Sequence, residues 1–196
     1  MLSLNPAKAF LLVVAFLGIG CIAPKSYVDP TLPKVEASAI KREDPKVVAV
    51  EVQFFRKGER LPKVDSRLLD QVRLNLLASG AVKEVLTTAD PSKLQLKVAM
   101  DNVGDTGTAI AKGFGTGLTF GLVGSMVTDG YVFTVTVQRP GQPAVQKTYK
   151  HAIHTTIGNK KGPEGLEPLS PSQAFERVVA GLVFNLVKDL QTEGTL

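Results

Sequence analysis

An apolar repeat near the C-terminus limits what this chain can fold into more than any other feature. Its members recur at spacings of three and four residues, which is the period of one helix face. They are Phe175, Val178, Val179, Leu182, Val183, Leu186, Val187 and Leu190. Ser170, Pro171 and Gln173 precede the repeat and are typical of an N-cap, a first helical position and a capping box. A helix with such a face must bury it, so we expect it to pack on a sheet.

Alternating apolar and polar residues predict the strands of that sheet. The predicted strands are 46–55, 94–100, 131–138 and 145–157, with a shorter one around 82–87. Between the predicted strands 46–55 and 82–87, Asp65 or Ser66 can begin an amphipathic helix that Gly80 can end. Turn residues at 139–142 join the last two strands as a hairpin.

The element order predicts an α+β fold. It runs strand, helix, strand, strand, long insert, strand, strand, helix, and strands joined by short turns usually pair antiparallel. We therefore expect a two-layer sandwich in which two amphipathic helices cover one face of a mostly antiparallel sheet. The single domain is predicted to span 46–191, with the insert at 104–129 and a tail at 192–196.

The N-terminus has the layout of a secretory signal. Lys8 is followed by an apolar run of about ten residues, which is half of what a membrane-spanning helix needs. Small residues then lead to the only cysteine of the chain, in the order Leu17-Gly18-Ile19-Gly20-Cys21. An ordinary secretory signal and a membrane-spanning helix are the alternatives to a lipid attachment site.

This stretch resembles the lipobox of bacterial lipoproteins, although the usual leucine three residues before the cysteine is Gly18 here. The resemblance implies that residues 1–20 are a signal peptide that is removed and that Cys21 carries the acyl chains, palmitate among them. Ile22 stands where an aspartate would retain such a protein at the inner membrane. The implied location is the outer membrane, with the domain facing the periplasm.

Residues 21–45 are predicted to form an irregular lipidated tether. Four prolines exclude a long helix, and the cluster at 41–44 is charged throughout. Some 20 extended residues reach roughly 60 to 70 Å. On this prediction the domain stands away from the membrane.

The residue content indicates no reaction. The two histidines, His151 and His154, should point to opposite faces of their strand, so they share no metal, and His151 is expected at the edge of the core. Lys8 is the one charge in residues 1–20, so the mature chain keeps 22 of the 23 basic side chains against 18 acidic ones. These charges are spread and mixed, which is not a nucleic-acid footprint. We predict a protein that is not an enzyme and needs no metal or cofactor.

Residues 109–127 are too apolar for an ordinary loop, because Lys112 is their only charge. Read as a helix, the segment places Gly113, Gly117 and Gly121 on one face, the small-residue ridge that lets helices approach closely in lipid. Its candidate contact side chains are the large apolar ones: Phe114, Leu118, Phe120, Leu122 and Val123. Three roles stay open: packing on the domain's own core, contact with the membrane, and a subunit interface.

The leading functional prediction is a non-enzymatic envelope component, anchored in lipid through Cys21, that binds or scaffolds another, unidentified envelope protein. The alternative is a homo-oligomeric, membrane-inserting or secretion subunit that uses 109–127. A hydrolase of envelope polymers is a second alternative. The element order is similar to that of small α/β periplasmic lipoproteins, such as those of curli secretion and the activators of peptidoglycan synthases, which places the chain among envelope proteins.

Substituting Cys21→Ala tests the anchor. If Cys21 is the acylated residue, the variant incorporates no labelled palmitate and accumulates as a soluble protein or an uncleaved precursor. Labelling is measured on the protein recovered from cells fed the fatty acid. Equal labelling of the variant and the parent would contradict the assignment.

Overall fold

The computed structural model describes residues 23–105, 126–158 and 162–196. Two short 3-10 turns lie at Ala37–Ala39 and Pro62–Val64. The strands are β1 (Lys25–Val28), β2 (Lys46–Arg56), β3 (Glu59–Arg60), β4 (Val82–Leu86), β5 (Leu94–Asp105), β6 (Met126–Gln138) and β7 (Val145–Thr156). The helices of the described residues are α1 (Asp65–Ser79) and α2 (Pro171–Thr192).

The strands form one mixed sheet in the order β1-β7-β6-β5-β2-β3, and β4 also pairs with β2. β2 is parallel to β4 and β5, and the other pairs are antiparallel. Both helices contact the sheet and each other. The α+β prediction is confirmed, including the chain order β2-α1-β4-β5-β6-β7-α2, to which the structure adds β1 and β3.

The two faces of the sheet differ in polarity. On β2, Val48, Val50 and Val52 are buried beneath the helices, whereas Glu51 and Gln53 on the other face are exposed. This alternation is what a sheet with one covered face requires. Both helices therefore pack on the same face of the sheet, and the hydrophobic core lies between the helices and the sheet.

Helix α2 begins as its sequence predicts. Ser170 Oγ accepts from the Gln173 backbone N–H at 3.3 Å, and Gln173 Oε1 accepts from the Ser170 N–H at 3.0 Å. Its apolar face is buried from Ala174 to Leu190. Phe175 adds edge-to-face contacts with Phe54 and Tyr131. The capping box and the apolar repeat thus act together, one fixing where the helix starts and the other where it packs.

Helix α1 starts differently from its prediction. Asp65 is its first residue, and its carboxylate accepts from the Phe54 N–H at 2.8 Å and pairs with Arg60 instead of capping the helix. Gly80 closes the helix with a φ of 75°, as predicted, because a left-handed residue is easiest for glycine. Asp65 therefore joins α1 to the end of β2.

The predicted tether is wrong for the described part of residues 21–45. Lys25–Val28 pairs antiparallel with β7, Ser26 and Tyr27 are buried, and Ile40 belongs to the core. Prolines exclude a helix here, but they permit a four-residue edge strand between Pro24 and Pro30. Among the described residues the first element of the fold is therefore the strand that begins at Lys25, and residues 29–41 run along α2.

Other predictions fall outside the described residues. The signal peptide, Cys21 and residues 109–125 are among them, with the glycines and apolar side chains of that segment, whereas residues 126 and 127 begin β6. The strands on either side of the insert are neighbours, since Asp105 pairs with Asp129. The insert thus leaves and rejoins the sheet at adjacent positions, and its three candidate roles stay predictions.

Substituting Leu182→Asp tests the packing of α2. Leu182 is fully buried, so the carboxylate would lie unpaired among apolar side chains and we expect a loss of more than about 3 kcal/mol in the free energy of unfolding. Urea unfolding of the mature chain measures it. Leu74→Asp on α1 is the matched control, because Leu74 is 60% exposed. Equal stability of the two variants would contradict the packing.

Candidate ligand pocket

Residues 29–41, which we call the strap, cross the helix layer beside α2. Two side chains of α2 hold the strap through its backbone. Asn185 Nδ2 donates to the Pro33 carbonyl at 2.9 Å, and the Gln191 amide both accepts from the Lys41 N–H at 2.9 Å and donates to its carbonyl at 2.6 Å. At its far end Ile40 enters the core. The strap is thus fixed at two points and bridges the surface between them.

A pocket of about 600 Å³ lies between the strap, α2, the loop 165–169 and the edge of β7. Its volume falls within the range of small-molecule sites, roughly 300 to 1,000 Å³. Most of its wall is apolar, and the apolar side chains that form it include Val28, Leu32, Val35, Leu169, Ala180 and Phe184. Such a wall favours an apolar ligand.

Gly181 makes room in this pocket. A Cβ built on it would lie 3.4 Å from His151 Nε2 and 3.7 Å from a Leu32 methyl carbon. Glycine inside a helix costs about 1 kcal/mol relative to alanine. The other residues of α2 between Ala174 and Leu190 favour a helix more than glycine does. Gly181 is the exception, and its missing side chain leaves space in the pocket.

His151 is the buried polar group of the pocket wall. It is 5% exposed, and burial lowers its pKa to about 4. Its Nδ1 accepts from the Ala152 N–H at 3.1 Å. A neutral imidazole that accepts at Nδ1 carries its proton on Nε2. The pocket therefore contains a neutral N–H donor.

His154 belongs to a separate polar cluster on the other face of β7. Its Nε2 lies 3.0 Å from Asp29 Oδ2 and its Nδ1 lies 2.9 Å from Thr128 Oγ1. Burial alone would raise the pKa of Asp29, but hydrogen bonds from His154 and Thr31 hold the pKa at about 2. The carboxylate can only accept, so Nε2 donates to it, and Nδ1 shares a second hydrogen bond with the Thr128 hydroxyl.

This cluster contains a hydroxyl, an imidazole and a carboxylate, the residue types of a hydrolase triad. Neither His154 nor Thr128 lines the pocket. The three side chains come from β6, β7 and the end of β1. The cluster therefore joins the edge strand to the sheet.

Charges at the pocket mouth are paired. Arg177 Nη1 lies 2.6 Å from Glu167 Oε2, and Lys34 Nζ lies 2.8 Å from Glu36 Oε1. All four side chains are largely exposed, so these pairs contribute little to stability. These four side chains therefore give the mouth no surplus of either charge.

The structure agrees with the sequence about the two histidines: His151 faces the helix layer at the edge of the core, and His154 faces away from it. The pocket itself was not predicted, because residues 29–41 were expected to be irregular. Two signals pointed to it: Gly181 within the apolar repeat, and the apolar residues Val28, Leu32 and Val35 between the prolines.

Within the described ranges no group of three or more histidine, cysteine, aspartate or glutamate side chains is placed to hold a metal ion. Neither α1 nor α2 is long and apolar enough to cross a membrane.

No protein-family model matches the chain, and no curated protein matches it. Among solved structures it is similar to a minor lipoprotein from Acinetobacter baumannii, with 13% identity, coverage of 76% of this chain and 94% of that chain, and a TM-score of 0.43. Rare lipoprotein B from Shewanella oneidensis gives 12% identity, 76% and 94% coverage, and 0.40. A protein from Xanthomonas campestris gives 12%, 85% and 90%, and 0.42. At these TM-scores the likeness supports no conclusion about function.

The buried imidazole predicts a pH dependence of stability. With a folded pKa of about 4 and an unfolded value of 6.5, His151 binds a proton only in the unfolded chain between these two values. Its contribution is fully present above pH 6.5 and is lost as the pH falls to 4, by up to about 3 kcal/mol. His151→Phe should remove this part of the acid destabilisation, measured by urea unfolding at pH 7 and pH 4.5. An unchanged difference between the two pH values would count against it.

Proposed function

We propose that the protein is a non-enzymatic, lipid-anchored component of the bacterial outer membrane, and that its pocket binds an acyl chain of a membrane lipid. The observation that carries the proposal is the apolar pocket of about 600 Å³ beneath the strap. Each methylene group moved from water into such a wall contributes about 0.8 kcal/mol. A long alkyl chain is the ligand that gains most from it.

The position of the proposed anchor supports a lipid as the ligand. Three residues separate Cys21 from β1, and Val28 at the other end of β1 lines the pocket. Seven extended residues span at most about 25 Å. With its lipids in the bilayer, the protein would therefore hold the pocket close to the membrane surface, where acyl chains are the abundant apolar molecules.

The side chains of the pocket support binding without a reaction. His151 is neutral at pH 7, and no described hydroxyl or thiol forms a hydrogen bond with it. The hydroxyl-imidazole-carboxylate cluster of Thr128, His154 and Asp29 is engaged in holding β1. Neither Thr128 nor His154 lines the pocket, so this hydroxyl does not face a ligand bound there.

Substituting Gly181→Leu tests the pocket. The leucine side chain would enter the space between His151 and Leu32, so we expect it to weaken binding of palmitoyl lysophosphatidylcholine at least about tenfold. Binding is measured by equilibrium dialysis below the micellar concentration. The protein is the mature chain, residues 21–196, with Cys21→Ser so that its own acyl chains are absent.

Ala78→Leu is the matched control, because it adds a similar side chain at an exposed position of α1, away from the pocket. The control should bind like the parent, and thermal unfolding checks that both variants are folded. The proposal fails if the parent binds no lysolipid, or if Gly181→Leu binds it as tightly as Ala78→Leu does.

A further inference from the structure

We infer that the pocket selects acyl chains that carry an ester carbonyl, and that His151 makes this selection by donating its Nε2–H to the carbonyl oxygen. The inference rests on the proposed function, since it names the lipid chemistry that the same pocket takes. It assigns the pocket a polar contact in addition to its apolar wall.

His151 has a ring N–H that the described residues leave without an acceptor. His151 is more than nine-tenths buried, and its Nδ1 is occupied by the Ala152 N–H. Its Nε2 points toward Gly181, and no hydrogen bond to this atom is made by the described residues. When a ligand displaces solvent from the pocket, an N–H left without an acceptor costs about 1 to 3 kcal/mol. A ligand that brings an acceptor to this position avoids that cost, whereas a plain alkyl chain incurs it.

The charges around His151 favour a neutral acceptor over a charged one. Asp29 also lines the pocket, and the basic side chains at its mouth, Arg177 and Lys34, are already paired with Glu167 and Glu36. A free carboxylate next to a neutral imidazole would be a buried charge without a cation, which is unfavourable. A carbonyl is neutral and needs only one donor. An ester therefore suits the site better than a free fatty acid.

Glycerolipids contain this combination. Those with ester linkages have a long alkyl chain that begins at an ester carbonyl, next to a polar head group. With the chain along the apolar wall and the carbonyl at His151, the head group would lie toward the paired charges of the mouth.

A matched pair of ligands tests the inference. Palmitoyl lysophosphatidylcholine and its hexadecyl ether analogue differ at the chain linkage, where only the first has a carbonyl oxygen. For the mature chain with Cys21→Ser we expect the ester to bind about 3- to 10-fold more tightly than the ether, which is the usual effect of one hydrogen bond. Equilibrium dialysis below the micellar concentration measures both affinities.

Two variants assign the effect to His151. His151→Phe keeps an aromatic ring but has no donor, so the ratio of its ester affinity to its ether affinity should fall to about 1. His151→Gln retains an N–H donor and should keep part of the preference. Thermal unfolding confirms that each variant is folded at the pH of the assay.

The outcomes separate this inference from the proposed function. If the parent binds both ligands equally, or if His151→Phe keeps the preference, the role of His151 is wrong while the pocket still binds alkyl chains. If the parent binds neither ligand, both the inference and the proposed function are wrong. A preference for palmitic acid over the ester would also overturn the inference, because it would require a cation in the pocket.

Discussion

The burial of one face of α2 is the interaction on which the rest of the structure depends. From Ala174 to Leu190 that face covers the sheet, and α1 packs beside it over β2 and β4. The outer side of α2 is left without a sheet to cover it, and the strap takes that place. Asn185 and Gln191 project from this outer side and bind the strap through its backbone. The strap is therefore part of the fold: α2 provides hydrogen bonds to its backbone and an apolar surface on which it packs.

The pocket follows from how the strap is held. Hydrogen bonds fix it near Pro33 and Lys41, and β1 fixes its start, so the chain between these points cannot collapse onto α2. On α2 the residues facing that gap include Ala180 and Gly181, which are too small to fill it. A cavity lined by apolar groups loses contacts that a filled core would have. The fold contains both an unfilled apolar cavity and a glycine that weakens the helix beside it. Such losses of stability are expected at a binding site.

The sequence predicted the elements that have a strong period. The α2 repeat, the β6–β7 hairpin and the paired strands of the core were found because burial on one face sets a regular spacing. Strand β1 was missed, since four residues between prolines are too few to show a period, and its burial comes from pairing with distant β7. The parallel pairing of β2 with β5 likewise cannot be predicted from the residues of either strand alone, because it joins segments that are distant in sequence. The pocket depends on the placement of the strap, so no spacing in the sequence could reveal it, although Gly181 marked the position.

A fold that begins at Lys25 also changes how the protein would sit on a membrane. The predicted tether would have held the domain up to 60 to 70 Å away, whereas residues 22–24 allow about 13 Å between Cys21 and β1. Distance matters for an acyl ligand because each exposed methylene group costs about 0.8 kcal/mol in water, so a 16-carbon chain crossing an aqueous gap would face a barrier on the order of 10 kcal/mol. If the proposed function holds, a short linker would let the chain pass between bilayer and pocket with few of these groups exposed at once. Edge strand β1 would then both extend the sheet and keep the pocket close to the membrane.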